Sequence, residues 1–162
     1  MIFLFLLAFS GKGLNAQVDS VLAVNMPEWA LRAFSSNPIM VNYELINKVN
    51  PFYLEEDFNG DNKVDIVVWV KNKLSKQHGI AILHRGDNEL FIVGAGKDFG
   101  MGSDMSWSNR WFVYRDEWVY NFNDKKKKFM LPLPGIEIVQ NEKTSAVIYW
   151  DKRRYTSYIK HI

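Results

Sequence analysis

From Ile39 onward, apolar residues recur in short runs separated by clusters of Gly, Asn, Asp, Ser, Pro and charged residues. Runs of this length with turn-forming separators predict β-strands, here over 40–46, 64–71, 79–84, 89–93, 110–114, 118–122, 136–139, 146–150 and 155–159. Ile66-Val67-Val68-Trp69-Val70 and Ile80-Ala81-Ile82-Leu83 are apolar at odd and even positions alike. Such strands are covered on both faces and belong mid-sheet. The run around Val113 and Arg115 alternates instead, as an edge or half-exposed strand does. Segments 71–78, 85–88, 115–117 and 151–154 are short enough to be hairpin connections, which make neighbouring strands antiparallel.

One segment breaks the period of two. Pro27-Glu28-Trp29-Ala30-Leu31-Arg32-Ala33-Phe34 predicts a helix: Pro suits a first helical position and Glu28 the positive N-terminal end. Ala30, Leu31 and Phe34 form its apolar stripe, and Ser35-Ser36-Asn37-Pro38 ends it. The expected fold is mainly β (α+β), an antiparallel meander or sandwich with one N-terminal helix packed on a face.

The first nine residues, Met1-Ile2-Phe3-Leu4-Phe5-Leu6-Leu7-Ala8-Phe9, are too few to span a bilayer but suit the hydrophobic segment of a signal peptide. Leu14-Asn15-Ala16 before Gln17 offers a cleavage site, although no Lys or Arg precedes the apolar run. The reading is a signal peptide over 1–16 and a single β-rich domain over 17–162, periplasmic or secreted, with no integral membrane segment after processing. The alternative for the first residues is a buried strand or helix. With no Cys, no disulfide can staple an exported domain, so a bound cation would add stability there. Hydrophobic residues at 48% and aromatic residues at 15% supply a real core.

Charge narrows the partners. The chain carries 20 basic and 18 acidic residues; of these only Lys12 lies in 1–16, leaving 19 against 18. A nucleic-acid partner would demand a basic excess, because affinity there comes from neutralising phosphates. The pattern gives no sign of one.

The chemistry concentrates in Asp57-Phe58-Asn59-Gly60-Asp61-Asn62-Lys63-Val64-Asp65. Asp57, Asn59, Asp61 and Asp65 place side-chain oxygens at loop positions 1, 3, 5 and 9, and Lys63 can offer its backbone carbonyl at position 7. Calcium takes six to eight oxygens in a flexible cage, which such alternation supplies. Gly60 and Asn62 tolerate the left-handed turns that wrap a loop round an ion. An ordinary Asp/Asn/Gly turn is the competing reading. Against it, carboxylates about 5 Å apart repel by roughly 3 kcal/mol per pair at an effective dielectric of 20. Lys63 neutralises only part of that, and Glu55 and Glu56 add to it.

Together with the strand that follows it, this segment resembles the calcium-loop element of FG-GAP/VCBS-type repeats, in which an Asp-x-Asp/Asn-Gly-Asp-Gly-x-x-Asp loop runs into an apolar strand. Asp57, Asn59, Asp61 and Asp65 fall on the ligand positions, and Ile66–Val70 takes the strand; Asn62 replaces the usual second Gly. The resemblance covers roughly 57–84 and implies calcium at the start of a strand. Dockerin and EF-hand loops share the spacing but continue into a helix. The propeller of the larger family needs at least four blades, and one such loop cannot supply them. The wider pattern, from Pro51-Phe52-Tyr53-Leu54 to Ile148-Tyr149-Trp150, resembles that of exported bacterial proteins and implies no function.

Other constellations are weaker. Gly94-Ala95-Gly96-Lys97-Asp98-Phe99-Gly100-Met101-Gly102-Ser103-Asp104 lacks the following helix that a phosphate loop needs. It reads as a long surface loop, or as a ligand loop in which Trp107 and Trp111 form an aromatic platform for a sugar or peptide. His78 and His84 should face one side of the sheet, without a third metal ligand at suitable spacing. Lys125-Lys126-Lys127-Lys128 reads as a solvated hairpin tip. No Gly-x-Ser-x-Gly elbow or distinct carboxylate pair marks a hydrolase. The expected role is therefore a calcium-binding, non-enzymatic binding or structural module recognising a protein or carbohydrate polymer. The alternatives are a small periplasmic hydrolase with structural calcium, using carboxylates or His84 near loop 94–104, and an inhibitor of a hydrolase.

Overall fold

The computed structural model describes residues 20–120, 128–140 and 144–161. The expected signal peptide over 1–16, residues 121 and 122 of one predicted strand, and Lys125–Lys127 lie outside them. Helices α1 (Ser20–Asn25) and α2 (Glu28–Ser36) and a 3-10 turn (Pro38–Asn42) precede eleven strands. These are β1 (Tyr43–Leu45), β2 (Tyr53–Glu56), β3 (Asp65–Asn72), β4 (His78–Leu83), β5 (Leu90–Gly94), β6 (Arg110–Tyr114), β7 (Trp118–Tyr120), β8 (Lys128–Met130), β9 (Gly135–Gln140), β10 (Thr144–Trp150) and β11 (Tyr155–His161).

All described strand pairs are antiparallel. The first sheet runs β1-β3-β4-β5, with β2 on the same edge of β3 as β1. Tyr43–Leu45 pairs with the far end of β3 and Tyr53–Glu56 with its start, so the two short strands act as one interrupted edge strand. The second sheet runs β11-β10-β9-β6, and β7 and β8 form a separate ribbon.

The doubly apolar runs became the middle of the first sheet. Ile66, Val68, Val70, Ala81 and Leu83 pack beneath the helices with Leu22, Ala30 and Phe34. The alternate residues Val67, Trp69, Ile80 and Ile82 face the second sheet, meeting Trp111, Ile136, Ile138, Ala146 and Ile148. Every residue from Asp65 to Val70 is buried. Beyond the second sheet, Tyr114, Val119, Leu131 and Val147 form a third apolar layer under the β7–β8 ribbon. There Glu137 takes hydrogen bonds from Ser145 Oγ at 2.7 Å and Lys160 Nζ at 2.9 Å, which pairs a carboxylate only 5% exposed.

Two expectations are corrected. The strand expected over 40–46 gives up its first half to the 3-10 turn, where Asn37 Oδ1 accepts from Ile39 N at 3.0 Å and Pro38 pre-sets φ. Segment 115–117 is not a hairpin, because β6 pairs with β9 and β7 with β8. Strands β2 and β8 and the single-turn α1 were not anticipated. Gly79 marks a close crossing: a Cβ there would meet Val93 O at 2.4 Å and Ala95 N at 2.5 Å.

Phe58, in the loop between β2 and β3, is wholly buried in the inter-sheet core. Its ring pins the otherwise polar loop to the sandwich. Phe58→Ala should lower unfolding free energy by about 3–5 kcal/mol in urea titrations; a loss below about 1 kcal/mol would contradict this anchoring.

Candidate functional site

Loop 57–65 curls over one end of the sandwich, and its side chains cap its own backbone. Asp57 Oδ1 accepts from Gly60 N at 2.7 Å and Asp61 N at 3.1 Å, while Oδ2 accepts from Asn62 N at 2.8 Å. Asn59 Oδ1 accepts from Asp61 N at 3.0 Å, and Asp61 Oδ1 from Lys63 N at 2.9 Å. Gly60 (φ 82°) and Asn62 (φ 62°) take the left-handed conformations the sequence implied. The oxygens therefore turn inward over the loop, with Asp57 and Asn59 half-buried and Asp61 exposed.

Asp65 closes the loop from inside the protein. It is 0% exposed; Oδ2 accepts from Phe58 N and Oδ1 from Arg85 N, both at 3.1 Å. Burial, helped by the charges of Asp61 and Asp57, pushes its carboxyl up to about 6 despite those two amides. Lys63 Nζ stands 4.0 Å from Asp61 Oδ2 and is half-exposed, so it offsets little of this field. Three Asp against one Lys leave the loop at −2. Glu56 is already paired with Arg115 at 2.7 Å. The carboxylates of Asp57, Asp61 and Asp65 each answer separate backbone donors. As a trio they are not gathered within 4.8 Å of one another.

The β4–β5 turn leans against this loop. A Cβ on Gly86 would lie 2.4 Å from Asp61 Oδ2, so glycine is what lets the two segments touch. Here His84, Asp87 and Glu89 bring one ligand atom each within 4.8 Å of one another, which no other trio of His, Asp or Glu among the described residues does. His84 is 2% exposed, boxed by Phe91, Trp150 and Tyr155, with Nε2 2.7 Å from the Tyr155 hydroxyl. Burial lowers its pKa, against the pull of Asp87, Glu89, Asp61 and Asp57. Burial likewise holds Tyr155 strongly protonated. The sequence sets His84 near loop 94–104 as a hydrolase candidate and, as a metal candidate, beside His78. Those residues sit six apart at opposite ends of β4, about 20 Å at strand rise, so they share a face and no metal.

No protein family, curated protein or solved structure compared with this chain matches it.

The aromatic platform is corrected. Trp111 is 2% exposed, its ring 5.2 Å from Trp69 in the inter-sheet core, and its Nε1 donates to Pro51 O at 2.8 Å. Its apolar bulk outweighed its position beside a glycine-rich loop. Trp107 is half-buried against the same core. Loop 94–104 is itself a plug: His78 O accepts from Ala95 N and Met105 N, and Phe99 and Met105 are buried between the sheets. Asp104 binds His78 N at 2.8 Å and the Ser106 hydroxyl at 2.5 Å. It therefore lies at the His78 end, remote from His84, and the two do not form a catalytic pair. A depression of ≈ 640 Å³ on the helical side is lined by Trp29, Arg32, Ala33, Ser35, Ser36 and Asn88, without an acid or imidazole. Among the described residues no helix is long and apolar enough to cross a membrane.

The raised Asp65 pKa fixes a sign. A buried acid that holds its proton more tightly folded than unfolded gains stability as pH falls from about 6 towards the ordinary carboxylate value of 3.8. In EDTA, the melting-temperature advantage of wild type over Asp65→Asn should therefore widen between pH 7 and pH 5, read by scanning calorimetry. A constant or shrinking gap would show that Asp65 is not the strained acid described.

Proposed function

We propose that this chain is an exported β-domain that binds calcium in loop 57–65 and serves as a binding or structural module. The observation that carries the reading is one of charge. A loop of net charge −2 turns its oxygens inward while a fourth ligand candidate, Asp65, lies fully buried beneath it. Hydrogen bonds from neutral amides satisfy those oxygens but do not cancel their charge; a divalent cation would. Asp57, Asn59, Asp61 and Asp65 would supply side-chain oxygens and Lys63 its carbonyl, a hard-oxygen set suited to calcium. The bound ion would join the β2–β3 loop to the start of the central strand and do the stapling that the absent cysteines cannot.

Export rests on the apolar segment at residues 1–9 and the small residue at Ala16. The non-enzymatic reading is favoured by the separation of His84 from Asp104 and by a glycine-rich loop spent on closing the sandwich. A protein or carbohydrate polymer is the partner class proposed, with Trp107 the remaining member of the aromatic pair at the surface.

Calorimetric melting in calcium and in EDTA tests the metal. Calcium at about 100 times its Kd should stabilise by about 2.7 kcal/mol, raising the melting temperature by about 5–10 °C for a domain of this size. Asp61→Ala should abolish the shift while the EDTA form still folds. If chelator and calcium give the same melting temperature for the wild type, the proposal fails.

A further inference from the structure

We propose a second metal site, distinct from the calcium loop, in which His84, Asp87 and Glu89 bind a zinc-class divalent ion at the β4–β5 turn. One ligand atom from each lies within 4.8 Å of the others, and small rotations of the exposed Asp87 and Glu89 side chains would bring them to the closer spacing that ligands at about 2.0–2.2 Å from one ion require. Imidazole nitrogen beside carboxylate oxygen selects zinc and related transition ions over calcium, which prefers oxygen alone.

The histidine is built for the task. His84 is 2% exposed, and the rings of Phe91, Trp150 and Tyr155 fix its plane at centroid distances of 4.9, 5.2 and 5.7 Å. Nε2 is engaged by the Tyr155 hydroxyl at 2.7 Å, and no hydrogen bond within the described residues reaches Nδ1. A ligating histidine usually shows this division: one nitrogen held by an outer partner that sets the tautomer, the other free for the metal. If Nε2–H donates to the tyrosine oxygen, Nδ1 carries the lone pair.

The carboxylates are equally available. Asp87 and Glu89 are exposed, and neither is in an ion pair among the described residues. The nearest cation in sequence, Arg85, lies over the Trp29 ring at 5.3 Å instead. Asp87 Oδ1 accepts from Glu89 N at 2.8 Å and His84 N donates to Glu89 O at 3.0 Å, so the turn holds its three ligands in one register. Three protein ligands leave coordination positions for water or for a partner's side chain.

Zinc titration of the full processed chain with calcium present, followed by isothermal calorimetry and by ¹⁵N shifts of the histidine rings, tests the site. One zinc should bind and move the His84 ring nitrogens, while His78 stays unmoved. Asp87→Asn/Glu89→Gln, two exposed changes that leave the core intact, should weaken binding at least tenfold, and Tyr155→Phe by about 10–100-fold. Asp61→Ala should leave zinc affinity within a few-fold, which separates this site from the calcium loop. Absence of His84 shifts, or zinc affinity unchanged in the double carboxylate variant, would overturn the proposal.

Discussion

A buried carboxylate at the first residue of β3 organises one end of the molecule. Asp65 accepts one amide from the preceding loop, at Phe58, and one from the β4–β5 turn, at Arg85. These two bonds fasten segments twenty-seven residues apart, at Phe58 and Arg85, to the strand at the centre of the first sheet. They also commit a charge to a place with no exposure, which costs free energy unless something nearby answers it. Two backbone amides answer it in part. Burial still pushes the Asp65 carboxyl up to about 6.

The rest of the fold explains why Asp65 cannot simply turn outward. Val67, Trp69 and Phe58 fill the gap between the sheets, and Ile66, Val68 and Val70 fill the gap beneath the helices. A slip of one residue in β3 would exchange those two sets and expose the acid only by burying the wrong faces. Packing therefore dictates where the charge sits, and electrostatics must accommodate it. Nature commonly resolves such a conflict with a cation, and the loop above Asp65 carries the oxygens for one.

Much of this was legible in the sequence. The doubly apolar runs at 66–70 and 80–83 announced a central pair of strands covered on both sides, because only such a position hides both parities. Loop 57–65 announced its own curl through Gly60 and Asn62. What escaped was non-local. Trp111 looked like a surface ring because it followed a glycine-rich loop, yet its place was fixed by Trp69, forty-two residues earlier. Strand β6 looked as if it turned back into β7, but the apolar face of the second sheet had to be covered first, so the chain left to build the β7–β8 ribbon. His84, Asp87 and Glu89 form a trio only after a hairpin folds one ligand back upon another. Spacings of three and two carried no signal of helical or strand period. A search for mixed ligands across short turns would have found them.

Two adjoining corners thus differ in chemistry: an all-oxygen loop, and a turn where a caged imidazole lies beside two carboxylates that make no ion pair among the described residues, touching through Gly86. The loop's claim is the more central, since the buried acid lies beneath it. Crystals grown in calcium and measured at long wavelength decide it. The account predicts an anomalous peak within the 57–65 curl, ringed by oxygens of Asp57, Asn59, Asp61, Lys63 and Asp65 at about 2.3–2.6 Å. A fully ordered loop with no anomalous density, and the Lys63 ammonium or water at its centre, would contradict it.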